Sequence, residues 1–446
     1  MNDGYINAVS SKLPQVYTQV PNKNSLNSYF PLRTQGNDFE WDAVIGIVLK
    51  TLLRKKIENY PHDDFTEDCR VFFNEKLGDE KFWLVLKEMY FDKRSILTVS
   101  PEFLLFRSQK GMFDQSEVRI ASMFTSMLQG MRIVSFETTL NFIEQGILST
   151  LNKKLRDEPA FQSIEEPYLP FLSEVFRKDI KFLASRPKYF LSEIKKFLSF
   201  YGFTYTAQLS LSLGGWKEGV APKPKPMYFI MDHERASNER THIRSYGYKL
   251  FQESSYRIFP MLTMLELLQP DLVEKDSRKI PLWSLASRVK NSGFEHLASC
   301  LENFAKAFRS QRNLSFKFDE NAKSSIDWLG QIMKLAQVQF QVGERLNINK
   351  KYVADIEKKL SSQFIQRRGR SGRVLVLNQD FIVLLTNIVI ADRLKMRFQD
   401  LLTEFKIRGV FVDKQTEQEL IKFYDRIGNV ERMSDSGDAI YVRKTI

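Results

Sequence analysis

Two cysteines, Cys69 and Cys300, and four histidines, His62, His233, His242 and His296, are all the chain has of the softer metal ligands. That scarcity excludes a disulfide framework and a cysteine-built zinc site, and it fits a reducing compartment. No HExxH spacing occurs among the histidines, so a catalytic zinc is not expected. No GxxxxGK[ST] occurs either, and GGWKEG at 214–219 lacks the spacing of a phosphate cradle, so any nucleotide-driven motor must be another protein. The most apolar window, Phe381 to Ala391, includes Thr386 and Asn387 and falls far short of the roughly 20 apolar residues a bilayer span needs. The opening stretch MNDGYINAVSSKLPQVYTQV has no basic segment followed by an apolar core. A cytoplasmic protein without membrane contact is the expectation, with no catalytic residue, metal or cofactor assigned.

What is abundant is aromatic and basic. Phe alone occurs 36 times in 446 residues, and 43% of the chain is apolar, enough to offset chain entropy with a large core. Lys and Arg outnumber Asp and Glu by 66 to 54, giving +12, which favours a polyanionic partner.

Along the chain, residues 1–37 carry Pro14, Pro21 and Pro31 among Asn and Ser, which predicts an extended or partly ordered leader. From Trp41 the apolar positions Trp41, Val44, Ile45, Val48, Leu49 and Leu52 repeat with helical spacing, predicting an amphipathic helix that ends near Pro61, with Asn37 or Asp38 as cap. Further helices are expected over 80–213, including 117–155 in two pieces and 168–200 broken at Pro187. The Phe171, Phe176, Phe182, Phe190, Phe197 and Phe200 series is read as core packing in preference to a base-stacking platform. Gly and Pro cluster at 214–226 and mark a linker, MYFIM at 227–231 reads as a short buried strand, and mostly helical material follows to about 345. The expected fold is mainly α, divided as leader 1–37, helical domain 38–213, linker and central domain 214–345, and a C-terminal domain 346–446.

Residues 341–446 carry 20 Lys and Arg against 14 Asp and Glu, half of the net charge. Within them QRRGRSGR sets Arg367, Arg368, Arg370 and Arg373 around two glycines. Arginine on such a loop can meet phosphates bidentately without fixed register, and the competing account is a solvated basic loop. Asp380 is the expected cap of a helix through Ala391. A second helix is expected over 393–406, with Leu394, Phe398, Leu401, Leu402 and Phe405 on one face, ended by Gly409. Asp413 caps a third helix over 414–427, and two strand-like arms follow around Asp435, Ser436, Gly437 and Asp438. Three helices and a hairpin give the order of a winged-helix-like α/β module. In such a module Lys414, Gln415, Gln418, Lys422 and Arg426 on the third helix, with Arg443 and Lys444 on the wing, would face nucleic acid. Glu417, Glu419, Asp425, Asp435 and Asp438 share these elements, so contact with a protein is the alternative use of the same surface.

One further cluster, Asp232, His233, Glu234, Glu239 and His242, follows the MYFIM strand. Carboxylates at a strand end can hold magnesium and activate water, so a metal-dependent nuclease using Asp232, Glu234 and Glu239 is one alternative function; exposed ion pairs with Arg235 and Arg240 are the simpler account. A winged-helix transcription regulator is another.

The stretches RGVFVDKQTEQELIKFYDRIGNVERMSDSGDAIYVRK (408–444), NSLNSYFPLRTQGN (24–37) and MYFIMDHERASNER (227–240) give the chain its resemblance to the DNA phosphorothioation-dependent restriction protein DptG family. The resemblance covers most of the chain. It implies a non-motor subunit, adaptor and DNA-engaging component in one, of a bacterial defence complex that acts with ATPase partners on DNA lacking phosphorothioate sulfur. It implies no catalytic residue.

Overall fold

The computed structural model describes the whole chain except residues 1–3, 26–27, 93–94, 110–112, 160–163, 237–238, 295 and 434–438, and the side chains at 370 and 433. Helix takes up 62% of the residues and strand 7%, so the fold is mainly α. The first half runs α1 (Gly4–Ser10), α2 (Trp41–Leu53), β1 (Lys55–Lys56), α3 (His62–Leu77), α4 (Glu80–Leu86), α5 (Gln115–Leu128), α6 (Phe142–Asn152), β2 (Arg156–Asp157), α7 (Pro170–Ala184) and α8 (Pro187–Ser212). The middle runs β3 (Ile230–Met231), α9 (Thr241–Tyr246), α10 (Tyr248–Ser255), α11 (Ile258–Leu265), α12 (Leu282–Lys290), α13 (Leu297–Gln311), α14 (Ser325–Gln339) and α15 (Gly343–Asp355). The last hundred residues form β4 (Ile365–Arg367), β5 (Arg373–Leu377), α16 (Gln379–Ile390), β6 (Lys395–Arg397), α17 (Phe398–Ile407), α18 (Lys414–Arg426), β7 (Val430–Met433) and β8 (Ala439–Arg443). Among the described residues no helix is long and apolar enough to cross a membrane.

The central helix is α8. Pro187 opens it at a position where its missing N–H costs nothing, and the break from α7 falls where proline demands it. Phe176, Phe190, Phe197 and Phe200 are all buried, and Phe176 meets Phe197 and Tyr201 with ring centroids 5.4 and 4.9 Å apart. The aromatic series is therefore core, each ring contributing about 1.5–3 kcal/mol of burial. Helix α2 buries Val44, Ile45, Val48, Leu49 and Leu52 against the 3-10 segment Pro101–Ser108, and the approach is close because residue 46 is glycine: a Cβ there would lie 2.7 Å from Ser108 N. The helix stops at Leu53, earlier than the expected end near Pro61, since Arg54 turns left-handed at φ 51. Its N-cap is Glu40, not Asn37 or Asp38.

The expected extended leader holds a helix and packs. Tyr5, Ile6 and Val9 of α1 are buried, as are Tyr29, Phe30 and Leu32, and the Tyr29 hydroxyl donates to the Glu166 carbonyl at 2.7 Å. The three prolines limit helix length here without preventing burial. The Gly/Pro-rich 214–226 stretch is likewise tied down, Gln208 of α8 exchanging two hydrogen bonds with the Lys225 backbone at 2.8 and 2.9 Å. One apolar cluster takes in residues from Tyr5 to Val442. Inside it Glu165 is 4% exposed, near Arg119, Lys279 and the hydroxyls of Ser28 and Ser126; burial outweighs these partners and raises its carboxyl above the ordinary glutamate range.

Two small sheets organise the C-terminal third. In the first, β5 lies between β3, parallel to it in the register Ile230↔Val376, and β4, antiparallel to it in the register Arg367↔Arg373. The expected strand at 227–231 thus covers only its last two residues, with Tyr228 bridging separately to Phe411. In the second, the antiparallel order is β6–β8–β7. Strand β6 and its loop replace the start of the expected second helix. Leu394, assigned to that helix's apolar face, is 85% exposed in the turn before it. Helix α16 is capped by Asn378, whose side chain accepts from Phe381 N at 2.9 Å, and not by Asp380.

Candidate nucleic-acid interface

Helix α18 starts where Asp413 accepts a hydrogen bond from Thr416 N at 3.0 Å, the expected cap. At 100° per residue Lys414, Gln415, Gln418, Lys422 and Arg426 fall within an arc of roughly 120°, and all five are exposed. The opposite side buries Leu420, Phe423 and Tyr424. The exposed face is nearly balanced in charge. Lys414 pairs with Glu417 and Lys422 with Glu419, both at 2.7 Å, and Asp425 pairs with Arg432 of β7 at 2.9 Å. Exposed pairs of this kind are worth about 0–1 kcal/mol, so their cations exchange partners readily. Arg426, Gln415 and Gln418 make no ion pair or side-chain hydrogen bond among the described residues, although Arg426 stands over the Phe423 ring.

Arg443 and Lys444, the residues expected on a wing, are more committed. Arg443 meets Glu431 at 2.5 Å, Lys395 meets the same carboxylate at 2.5 Å, and hydrogen bonds from Lys395 and then Arg443 lower the Glu431 pKa. Lys444 Nζ donates to the Ala391 carbonyl at 2.9 Å. Asp435 and Asp438, the expected acidic tip, lie outside the described residues together with Ser436 and Gly437.

The four-arginine stretch is the turn of the β4–β5 hairpin, not an irregular loop. Arg368 N donates to the Gly372 carbonyl at 2.7 Å, and Gly372 sits at φ 72, ψ −142, a conformation open in practice only to glycine. The arginines have different roles. Arg373 bonds to Glu357 at 2.7 Å and to the Tyr248 hydroxyl at 2.8 Å. Arg368 Nη2 donates to the Asp232 carbonyl, and its Nε is buried without a partner. Arg367 is exposed and, unlike the also exposed Arg373, makes no ion pair among the described residues, and it borders a surface groove of about 690 Å³ shared with Lys358, Ser362 and Arg373. The Arg370 side chain lies outside the described residues.

The acidic cluster after β3 is organised around an arginine. Glu234 is 5% exposed; its Oε1 accepts from Met231 N at 2.7 Å, and its Oε2 from Arg240 Nη1 at 2.8 Å and Thr416 Oγ1 at 3.1 Å. Arg240 also binds Asp413 at 2.5 Å, so a buried network ties the loop after β3 to the start of α18. Burial alone would raise the Asp413 carboxyl; hydrogen bonds from Arg240 and Thr416 hold it below the usual carboxylate range. Glu234, a metal ligand only on the nuclease alternative, has both oxygens occupied, and its pair with Arg240 is buried where the simpler account had exposed ion pairs. His233 Nδ1 lies 3.5 Å from Asp232 and His233 Nε2 3.6 Å from Glu419. Among the described residues no group of three or more His, Cys, Asp or Glu is placed to hold a metal ion.

Sequence patterns missed an aromatic strip beside α18. Tyr228 stacks on His242 with centroids 4.9 Å apart, and Tyr246 and Phe411 lie 6.4 and 5.9 Å from Tyr228. His242 and Tyr246 are exposed. No periodicity marks these residues, because a parallel bridge between Tyr228 and Phe411 brings them together.

Comparison with known proteins adds no relative: no family model matches the chain, and no curated protein does.

Proposed function

We propose that the chain is a non-motor, DNA-engaging subunit of a bacterial phosphorothioation-dependent restriction complex. On this proposal it works in the cytoplasm with ATPase partners and acts on DNA that lacks the backbone sulfur. The reading rests on the resemblance of residues 24–37, 227–240 and 408–444 to the DptG family and on one structural observation. That observation is the order helix, strand, helix, helix, strand, strand from α16 to β8, with the sheet order β6–β8–β7 and the five polar residues of α18 facing outward. The order supports the winged-helix-like reading, on which the third helix would dock in the major groove as helix-turn-helix recognition helices do. The near-balanced charge of α18 favours short-range phosphate contact over long-range steering. The occupied Glu234 favours this reading over the nuclease alternative.

The test is DNA binding across a salt series. The wild-type chain is expected to bind duplex DNA at low salt with a steep log–log slope, and Lys422→Ser with Arg426→Ser should reduce that slope by about 1–2. Absence of binding at low salt would leave a protein adaptor.

A further inference from the structure

Arg312, after the C-terminus of α13, is half-buried and has no carboxylate. Its Nε donates to Gln339 Oε1 at 3.1 Å, its Nη1 to Gln311 Oε1, and its Nη2 to the Pro21 carbonyl at 2.6 Å and Asn24 Oδ1 at 3.2 Å. Every acceptor is neutral. The charge that acts on it is a second cation, Arg345, whose only hydrogen bond among the described residues is a 3.5 Å contact to the Asn22 carbonyl. Burial and then Arg345 push the Arg312 pKa down to about 10. Neither guanidinium has an ion pair among the described residues. Gln339, 1% exposed beside Arg312, leaves its Nε2 without a partner. Two neighbouring guanidiniums without a counter-ion, one of them desolvated, repel each other, and a proteinaceous acceptor shell of amides and carbonyls does not neutralise them.

Arg312 also lines a cavity of about 350 Å³ whose other walls are largely apolar, among them Val9, Leu13, Leu267, Leu272, Phe304 and Phe308. Phe308 lies under the guanidinium at 5.3 Å, and Lys12 and Lys23 also line the cavity, Lys12 Nζ donating to the Leu272 carbonyl at 3.4 Å. Glu266, the one acidic residue on the wall, is engaged by Lys279 at 2.8 Å. On the far side of the strap formed by residues 22–24, Arg345 and Lys351 border a second cavity of about 780 Å³. The acids there are Asp355, which accepts from Asn37 at 2.8 Å, and the exposed Glu344. An apolar hollow of this size with a few convergent polar groups has the form of a small-molecule site.

We propose that this hollow binds a small amphipathic anion, its phosphate or carboxylate head held by Arg312 and Lys23 and its apolar body against Phe304, Phe308 and Leu13. The site is independent of the DNA-binding reading and shares no residue with α18 or the β4–β5 hairpin. The four hydrogen bonds leave Arg312 one Nη1 N–H for an oxyanion oxygen, and the apolar wall selects for the attached hydrocarbon.

The probes are octyl phosphate, octanoate, octanol and inorganic phosphate, titrated calorimetrically into the full-length chain and followed by thermal shift. Octyl phosphate or octanoate is expected to bind at least tenfold more tightly than inorganic phosphate or octanol, and the two amphiphiles distinguish a phosphate from a carboxylate head. Arg312→Gln should lose at least tenfold. Arg312 also pins the 21–24 strap, so that variant can lose stability. Leu272→Trp is therefore the second variant: Leu272 is 47% exposed at the mouth, and an indole there blocks the body of the ligand while leaving Arg312 in place. Its weakening of the two amphiphiles, with unchanged Tm in their absence, supports the site. Equal binding of all four probes, no binding by either amphiphile at millimolar concentration, or undiminished binding in Leu272→Trp overturns it.

Discussion

The Arg408 guanidinium closes on the Asp179 carboxylate with two bonds, Nε at 2.7 Å and Nη2 at 2.6 Å, joining the end of α17 to the middle of α7. Both side chains are at most 4% exposed, Tyr201 donates to the same carboxylate at 2.5 Å, and Glu404 takes Arg408 Nη1 at 2.8 Å. Burial opposes the arginine's charge, and Asp179 more than restores it, raising the Arg408 pKa. Asp179→Ala removes the bidentate partner and leaves the buried cation to Glu404, and is expected to cost about 3–5 kcal/mol, while Asp179→Leu with Arg408→Met costs much less. Urea unfolding of the three proteins checks the order; equal losses in both variants would contradict it.

Gly46 gives a packing prediction. An added Cβ would meet backbone at Ser108 N and Arg107 C, 2.7 and 2.8 Å away, and backbone does not swing aside as a side chain does. Gly46→Ala should therefore destabilise by about 1–3 kcal/mol despite alanine's better helix propensity. A Tm equal to or above wild type would show that the 101–108 segment shifts freely.

The hairpin arginines are expected to separate in a binding assay. Arg367→Ser should weaken DNA binding and lower the salt slope by about 1, because that side chain is exposed and makes no ion pair among the described residues. Arg373→Ser should leave the slope close to wild type and lower Tm, because Arg373 is engaged by Glu357 and Tyr248. Fluorescence anisotropy at four salt concentrations reads both, and the reverse order would reassign the contact.

Glu165 gives a pH prediction. Its carboxyl is raised by burial, so between the ordinary glutamate pKa and the folded value the folded state holds more protons than the unfolded chain. Its contribution is fully present below the ordinary value and is lost as pH rises through the folded one. Glu165→Gln should match wild type in Tm near pH 4.5 and exceed it increasingly towards pH 8. A difference that stays constant with pH would mean that Glu165 keeps its ordinary pKa.

Much of the helical order was legible because its breaks rest on local chemistry: Pro187 between α7 and α8, Gly409 after α17 and Asp413 before α18 all act on their immediate neighbours. Strand β6 was not, since three residues carry no period and it forms only by pairing with Tyr441–Arg443. The same distance effect hid the site. Nothing near Arg373 in sequence announces Tyr248, and nothing near Glu234 announces that its acceptor sites are filled in part by Thr416, 182 positions on. The leader misled because proline rules out long helices but is silent about burial, and Tyr29, Phe30 and Leu32 are buried between or beside prolines.

The Glu234–Arg240–Asp413 network has a consequence for avidity. It fastens the start of α18 to the loop after β3, and β3 shares a sheet with the hairpin that carries Arg367. The α18 face and the β4–β5 turn are thus mounted at a set spacing. On the proposed DNA-engaging reading, a polyanion held by one would present its next phosphates to the other at an effective concentration fixed by the fold. Ligands too short to bridge that spacing would gain nothing from the second surface, and longer ones would show a step in affinity with length.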